Sequence, residues 1–205
     1  MTEQQDRDHW DAVYEKNQTD AVSWFQADPA TSMSLIQAAG TAPDAALIDV
    51  GGGASMLADQ LIEHGFTSIS VLDVAEPALA VARDRLGDAA AGIDWIVTDL
   101  LAWTPTRRYA LWHDRAVFHF LTEPADRDRY RQVLDAALDD GGHVAIGTFA
   151  ADGPSQCSGL PTARYEPDEL AEQFPNLRIV RQHREEHHTP WDALQPFTWL
   201  LLTRT

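Results

Sequence analysis

The sequence predicts an α/β domain, a doubly wound and mostly parallel sheet of seven strands with an antiparallel C-terminal strand pair and an N-terminal helical extension. Three observations carry this reading. Beyond residue 40, short apolar runs alternate with helix-like stretches, each pair about 20 to 30 residues long, as in right-handed βαβ units. The first run ends in Gly51-Gly52-Gly53, and the second ends at Asp73, 20 residues after the last glycine. The final two runs, Leu177 to His183 and Phe197 to Thr203, have no helix between them, which suggests antiparallel neighbours at a sheet edge.

The elements follow in order. Trp10, Val13 and Tyr14 fall at i, i+3 and i+4, a narrow apolar helical stripe. Asp28-Pro29 reads as an N-cap and first helical residue, opening a helix to about Gly40. Ala45 to Val50 is the first strand, followed by a helix from about Ser55 to His64 that Gly65 ends. Ile69 to Asp73 is the second strand, and Glu76 to Leu86 a helix with Pro77 in its first turn and Gly87 after its end. Ile93 to Val97 and Tyr109 to Trp112 are further strands. Ala125 to Leu138 is a helix closed by Asp139-Asp140-Gly141-Gly142, and His143 to Phe149 is the fifth strand. Residues 1–40 thus form a helical lead and residues 41–205 the main domain, together one folded unit.

Composition narrows the function. The 205 residues carry 32 Asp and Glu against 15 Lys and Arg, a formal net charge of −17, with Lys16 the single lysine. Such a surface repels nucleic-acid phosphates and anionic lipid, so neither nucleic acid nor membrane is an expected partner. The single cysteine, Cys157, excludes an intramolecular disulfide and a four-cysteine zinc site. His183, His187 and His188 offer no metal site with it, since neighbours on a strand face opposite ways. No signal peptide or transmembrane run is visible, so the cytoplasm is the default location, as a monomer or a dimer.

The segment Leu47 to Ser55, LIDVGGGAS, has the layout of strand, glycine turn and helix start. Glycine lets backbone approach a ligand closely, and a helix N-terminus offers free N–H groups. Asp73 stands where a nucleotide-binding unit places the acid that grips a ribose diol. Asp49, just before the turn, would repel a pyrophosphate and attract a ligand carrying an ammonium and a sulfonium. Asp99 ends the third strand, so all three acids collect at the carboxyl edge of the sheet.

Residues 45 to 150 resemble the class I S-adenosylmethionine (SAM)-dependent methyltransferases, in particular small prokaryotic single-domain ones. LIDVGGGAS resembles the first motif of that family, SVLDVAEPAL (Ser70 to Leu79) its ribose motif, and VTDLLAW (Val97 to Trp103) its adenine-side motif. The resemblance implies SAM as cofactor and S-adenosylhomocysteine (SAH) as product. It places Asp49 and Gly51, Gly52 and Gly53 along the methionine part, Asp73 with Val74 at the ribose, and Asp99 and Leu100 about the adenine. Ser55 stands where the motif has its third glycine, so the helix start can differ slightly.

His9 to Pro29, HWDAVYEKNQTDAVSWFQADP, resembles the lead of several small methyltransferases, which folds over the cofactor. It implies that Trp24, with Trp10 and Tyr14, is an aromatic facing cofactor or substrate. DGPSQCSGLPTARY (Asp152 to Tyr165) and EEHHTPW (Glu185 to Trp191) look like segments of the same small enzymes. In the family, the loop after the fourth strand faces the transferred methyl, which singles out His119 as general base, Asp114 to orient it or touch substrate, and Arg115 to hold an anionic group. The Asn/Asp-Pro-Pro-aromatic tetrad of amino-methylating DNA enzymes is missing there. The expected activity is methyl transfer to a small molecule in a closed pocket. A lysine or terminus of another protein is the alternative acceptor, and a non-catalytic SAM or SAH sensor the third reading.

Overall fold

A computed structural model describes residues 3–204; residues 1, 2 and 205, the outer ends of the predicted lead and domain, lie outside it. The lead holds helix α1 (Glu3–Lys16), a short 3-10 turn at Thr19–Ala21 and helix α2 (Ala30–Ala39). The α/β part runs β1 (Leu47–Val50), α3 (Leu57–Glu63), β2 (Ile69–Asp73), α4 (Glu76–Leu86), β3 (Ile93–Val97), β4 (Tyr109–Arg115), α5 (Pro124–Ala137) and β5 (Leu138–Phe149). A two-stranded ribbon, β6 (Gln156–Cys157) with β7 (Leu160–Pro161), precedes α6 (Pro167–Glu172), β8 (Leu177–His188) and β9 (Leu194–Arg204).

The seven-stranded sheet has the order β3-β2-β1-β4-β5-β9-β8. Its first five strands pair in parallel, and β9 pairs antiparallel with both β5 and β8. The chain leaves β1 toward β2 on one side and returns to β4 on the other. This reversal opens a crevice at the carboxyl ends of β1 and β4, where such folds bind ligands.

Helices cover both faces, so the central strands are buried on both sides and mostly apolar, with their polar residues gathered at the carboxyl ends. Leu47 and Leu111 pack with Met33 and Ile36 of α2 and Leu57 and Leu61 of α3. Ile48, Val50 and Trp112 turn the other way and pack with Tyr130, Val133 and Leu134 of α5 and Leu170 of α6.

The structure moves several expected boundaries. β1 starts at Leu47, and α3 spans only Leu57–Glu63. α2 starts at Ala30 with Pro29 at the N-cap and no side-chain cap bond, so Asp28 does not cap it. β4 continues to Arg115 because β1 and β5 flank it on both sides, pairing Val50 with Asp114 and Gly147 with Arg115. His113, Asp114 and Arg115 are therefore strand residues, not a loop. Asp139 to Gly142 does not close a helix but belongs to β5, whose pairing with β4 slips between Tyr109–Leu138 and Leu111–His143 as Gly141 takes φ 72°. The final two strands form one long hairpin, each several residues longer than its apolar run.

Candidate active site

A cavity of about 430 Å³ opens at the crevice, with Asp73, Val74, Asp99 and Leu100 on the β2–β3 side. Trp10, Trp24, Arg115, Val117, Phe120, Cys157 and Leu160 also line it. A smaller cavity of about 60 Å³ shares Tyr14, Trp24, Gly51 and Arg115 with it and reaches Asp49, Gly52, Ser32 and His113. The sheet edge thus brings together the three predicted aspartates, the glycine turn and Trp24.

The glycines are required by close approach. Gly51 has φ 64°, and a Cβ there would overlap Val117. A Cβ on Gly52 would lie 2.6 Å from Asp49 Oδ2 and from Val71 Cγ1. Gly53, at φ 47°, lies beneath the Tyr14 hydroxyl, which would be 2.8 Å from an added Cβ, with Asp73 Oδ2 at 3.3 Å. Side chains at these positions would fill the cradle beside the turn.

Asp73 Oδ1 accepts the Ala75 backbone N–H at 2.8 Å. The carboxyl is only 8 % exposed, and burial, aided by the nearby Asp49 charge, pushes its pKa up to about 6 against the backbone N–H groups that favour the anion. Oδ2 faces Gly53. Asp99, less buried, spends Oδ1 on the Leu101 N–H at 2.8 Å.

Sequence reasoning passed over His113 and Ser32 as site residues. His113 Nδ1 lies 2.7 Å from Asp49 Oδ1 and its Nε2 lies 2.9 Å from Ser32 Oγ. A carboxylate accepts, so Nδ1 carries the proton, and in the neutral ring the serine hydroxyl donates to Nε2. All three side chains are buried. The available signal was a histidine in the apolar strand beside the one that leads into the glycine turn.

The lead packs on the cavity through aromatic edges. Trp10 meets Trp24 at 5.7 Å and Phe120 at 5.3 Å between ring centres, and the Trp24 indole N–H donates to the Tyr14 hydroxyl at 3.3 Å. The β6–β7 ribbon adds Cys157, Leu160 and Pro161, with Cys157 in one apolar cluster with Trp24 and Phe120. The Cys157 thiol is pushed up to about 11 by burial, so it is protonated at neutral pH.

The predicted catalytic trio separates. Asp114 does not line either cavity. It is fully buried and accepts the Val117 N–H at 2.9 Å, the Phe118 N–H at 3.2 Å and the Tyr130 hydroxyl at 2.7 Å. Burial raises its pKa to about 6. Its oxygens hold the 3-10 turn Phe118–Phe120 and α5 in place, which is a structural task. His119 is also fully buried, in a nest of Phe120, Phe149 and Phe197, with Nδ1 3.4 Å from the Phe149 N–H. Desolvation, helped by the Arg115 charge, lowers its pKa to about 3. It lines neither cavity, so the structure sets the expected general base apart from both. Arg115 alone of the three stands in the wall of both cavities.

His187 Nε2 meets the Ser23 carbonyl at 2.7 Å and His188 Nδ1 meets Asp192 at 3.0 Å, so both histidines serve the hairpin and the lead. Among the described residues no helix is long and apolar enough to cross a membrane.

The geometry agrees with known structures. A SAM-dependent methyltransferase from Anabaena variabilis superposes with a TM-score of 0.74 at 18% identity, over 97% of this chain and 95% of that one. The 1,6-didemethyltoxoflavin-N1-methyltransferase of Burkholderia thailandensis, solved with its substrate and SAH, gives 0.76 at 20% identity, over 97% and 87%. The chain therefore has the class I methyltransferase fold. In sequence, a malonyl-[acyl-carrier protein] O-methyltransferase of Ilyobacter polytropus is 28% identical over 104 residues. That match takes in 50% of this chain and spans 37% of the relative. No family model matches the chain.

Proposed function

We propose that this protein is a SAM-dependent methyltransferase acting on a small molecule held in the enclosed cavity. The observation that carries the reading is the alignment of Asp49, the glycine turn, Asp73 and Asp99 along one crevice at the strand-order reversal. The residues fit such a cofactor. Asp73 offers a carboxylate to ribose hydroxyls, and the bare turn at Gly51–Gly53 admits close approach. Asp49, oriented by His113, supplies the negative charge an ammonium needs. Methyltransferase names among the sequence and structural relatives support the same class.

SAM supplies a methyl group on a sulfonium, already activated for in-line displacement. The protein's work is then alignment and exclusion of water. Trp10, Trp24 and Phe120, with Cys157 and Leu160 of the ribbon, wall off the site. With Asp114 and His119 sealed in the core, and with Arg115 cationic and Cys157 protonated, none of these four serves as a base at neutral pH. Enclosure by the lead and the ribbon together favours a small molecule over a protein side chain.

The test is to incubate the purified chain with methyl-labelled SAM and cell extract split by size. Label in a small-molecule product supports the proposal. Label confined to protein moves the acceptor to a polypeptide. SAH binding with no labelled product from any fraction supports a sensor, and tighter binding of NAD than of SAM removes the cofactor assignment.

A further inference from the structure

Arg115 has an unused hydrogen-bonding edge. Its Nη1 donates to the Trp24 carbonyl at 2.9 Å, and Cζ lies 4.7 Å from the ring centre of Phe197. Nε and Nη2 are buried and have no hydrogen-bond partner among the described residues. Those two nitrogens share one edge of the guanidinium, the edge whose parallel N–H bonds match the two oxygens of a carboxylate. Glu185, the acid that acts on it most strongly, is committed to Gln26 and to the Trp199 indole. Leaving charged donors unmet is more unfavourable than leaving neutral ones, and this chain has 32 acidic residues from which to take a partner. The side chain instead stands in the wall of both cavities.

We propose that the Nε–Nη2 edge of Arg115 receives a carboxylate of the methyl acceptor, which makes the substrate a small organic anion. This rests on the methyltransferase reading above. The guanidinium is held against Phe197 of β9 and near Cys157, and it also reaches the smaller cavity beside Asp49 and the glycine turn, whereas the nucleoside contacts expected of Asp73 and Asp99 belong to the β2–β3 side. An acceptor gripped there lies toward the methionine end of the cofactor and away from the nucleoside, where the transferred methyl is carried.

The experiment uses the full chain labelled with ¹⁵N-arginine and saturated with SAH. The Arg115 Nε–H resonance is assigned by its absence in Arg115→Lys, then followed during titration with propionate, succinate and, as a neutral control, propionamide. The expected result is a saturable shift with at least one carboxylate and none with the amide. In parallel, Arg115→Gln should bind SAH within about threefold of the parent, because the edge serves the acceptor and not the cofactor. Failure of every carboxylate to move the resonance overturns the proposal. So does a loss of SAH affinity of about tenfold or more in both variants with 5′-methylthioadenosine binding unchanged, since the carboxylate would then be the cofactor's own. If the parent chain binds no SAH, the methyltransferase reading fails, and the same titration on the cofactor-free chain still decides whether Arg115 is a carboxylate seat.

Discussion

His113 and Asp49 meet at 2.7 Å on adjacent parallel strands, and Ser32 of α2 meets the other ring nitrogen at 2.9 Å. The ring thereby fixes the acid that stands before the glycine turn. Replacing His113 with Phe keeps the bulk and strands a buried carboxylate. The expected loss is about 1.5–3 kcal/mol in denaturant unfolding, with weaker SAH binding, while Ser32→Ala should lose about 1 kcal/mol or less. Unchanged stability and affinity in His113→Phe would show that the pair orients nothing.

In its proposed role at the ribose, Asp73 should make cofactor affinity pH-dependent. Ribose hydroxyls would donate to the ionised carboxyl, which titrates at about 6 in the folded chain. Affinity for SAH should hold above that value and fall below it. With roughly one tenth of the carboxyl ionised at about pH 5, binding should be about tenfold weaker there than at pH 7.5. Calorimetry at the two pH values checks this, and Asp73→Asn should bind weakly at both. The same shift acts on stability in the cofactor-free chain. The folded carboxyl keeps its proton up to about 6, while an unfolded Asp releases it near about 3.9, so stability falls as pH rises through that window. Asp114, also at about 6, adds a second contribution of the same sign.

Val117 roofs Gly51. A methyl group at Gly51 would overlap Val117, and the backbone there sits at φ 64°. Gly51→Ala should therefore lose about 2–4 kcal/mol of stability, from overpacking and left-handed strain together. Adding Val117→Ala should recover the steric part and leave the backbone part. A double-mutant cycle in urea with no coupling would mean that the two residues do not touch.

The parts of the site that were legible in the sequence are those set by backbone geometry. Three glycines after an apolar run, and an acid at the end of each of the next two runs, can be read along the chain because strand ends in a parallel sheet share one edge. The depth of side chains was not legible. The run His113-Asp114-Arg115 looks like a polar loop, yet pairing on both sides draws it into the sheet. There each polar group is handled differently: His113 by Asp49, Asp114 by backbone N–H groups and Tyr130, Arg115 by the Trp24 carbonyl and Phe197. Those partners lie 16 to 91 positions away, apart from the adjacent turn. For the same reason Asp139 to Gly142 reads as a helix stop, although its neighbour β4 holds it as a bulged strand start.

His119 gives the sharpest contrast between the two views of this chain. It follows β4 and belongs to the residue type best suited to proton transfer at neutral pH, yet the structure buries it among Phe120, Phe149 and Phe197 with Nε2 unpartnered. His119→Leu removes the unpartnered nitrogen and only a long bond from the Phe149 N–H. Stability at pH 8 should change by about 1 kcal/mol or less, because removing an unsatisfied polar atom offsets the lost bond. The pH profile should change more. Folded His119 stays neutral down to about 3, whereas in the unfolded chain it takes up a proton below about 6.5, so its share of stability is lost as pH falls through that window. By that linkage, His119→Leu should gain about 2 kcal/mol on the parent between pH 8 and pH 5. With an acceptor in hand, turnover should stay within about threefold of the parent. A fall of about 10²-fold with the fold intact would instead make His119 the base, reached through a rearrangement of the Phe118–Phe120 turn.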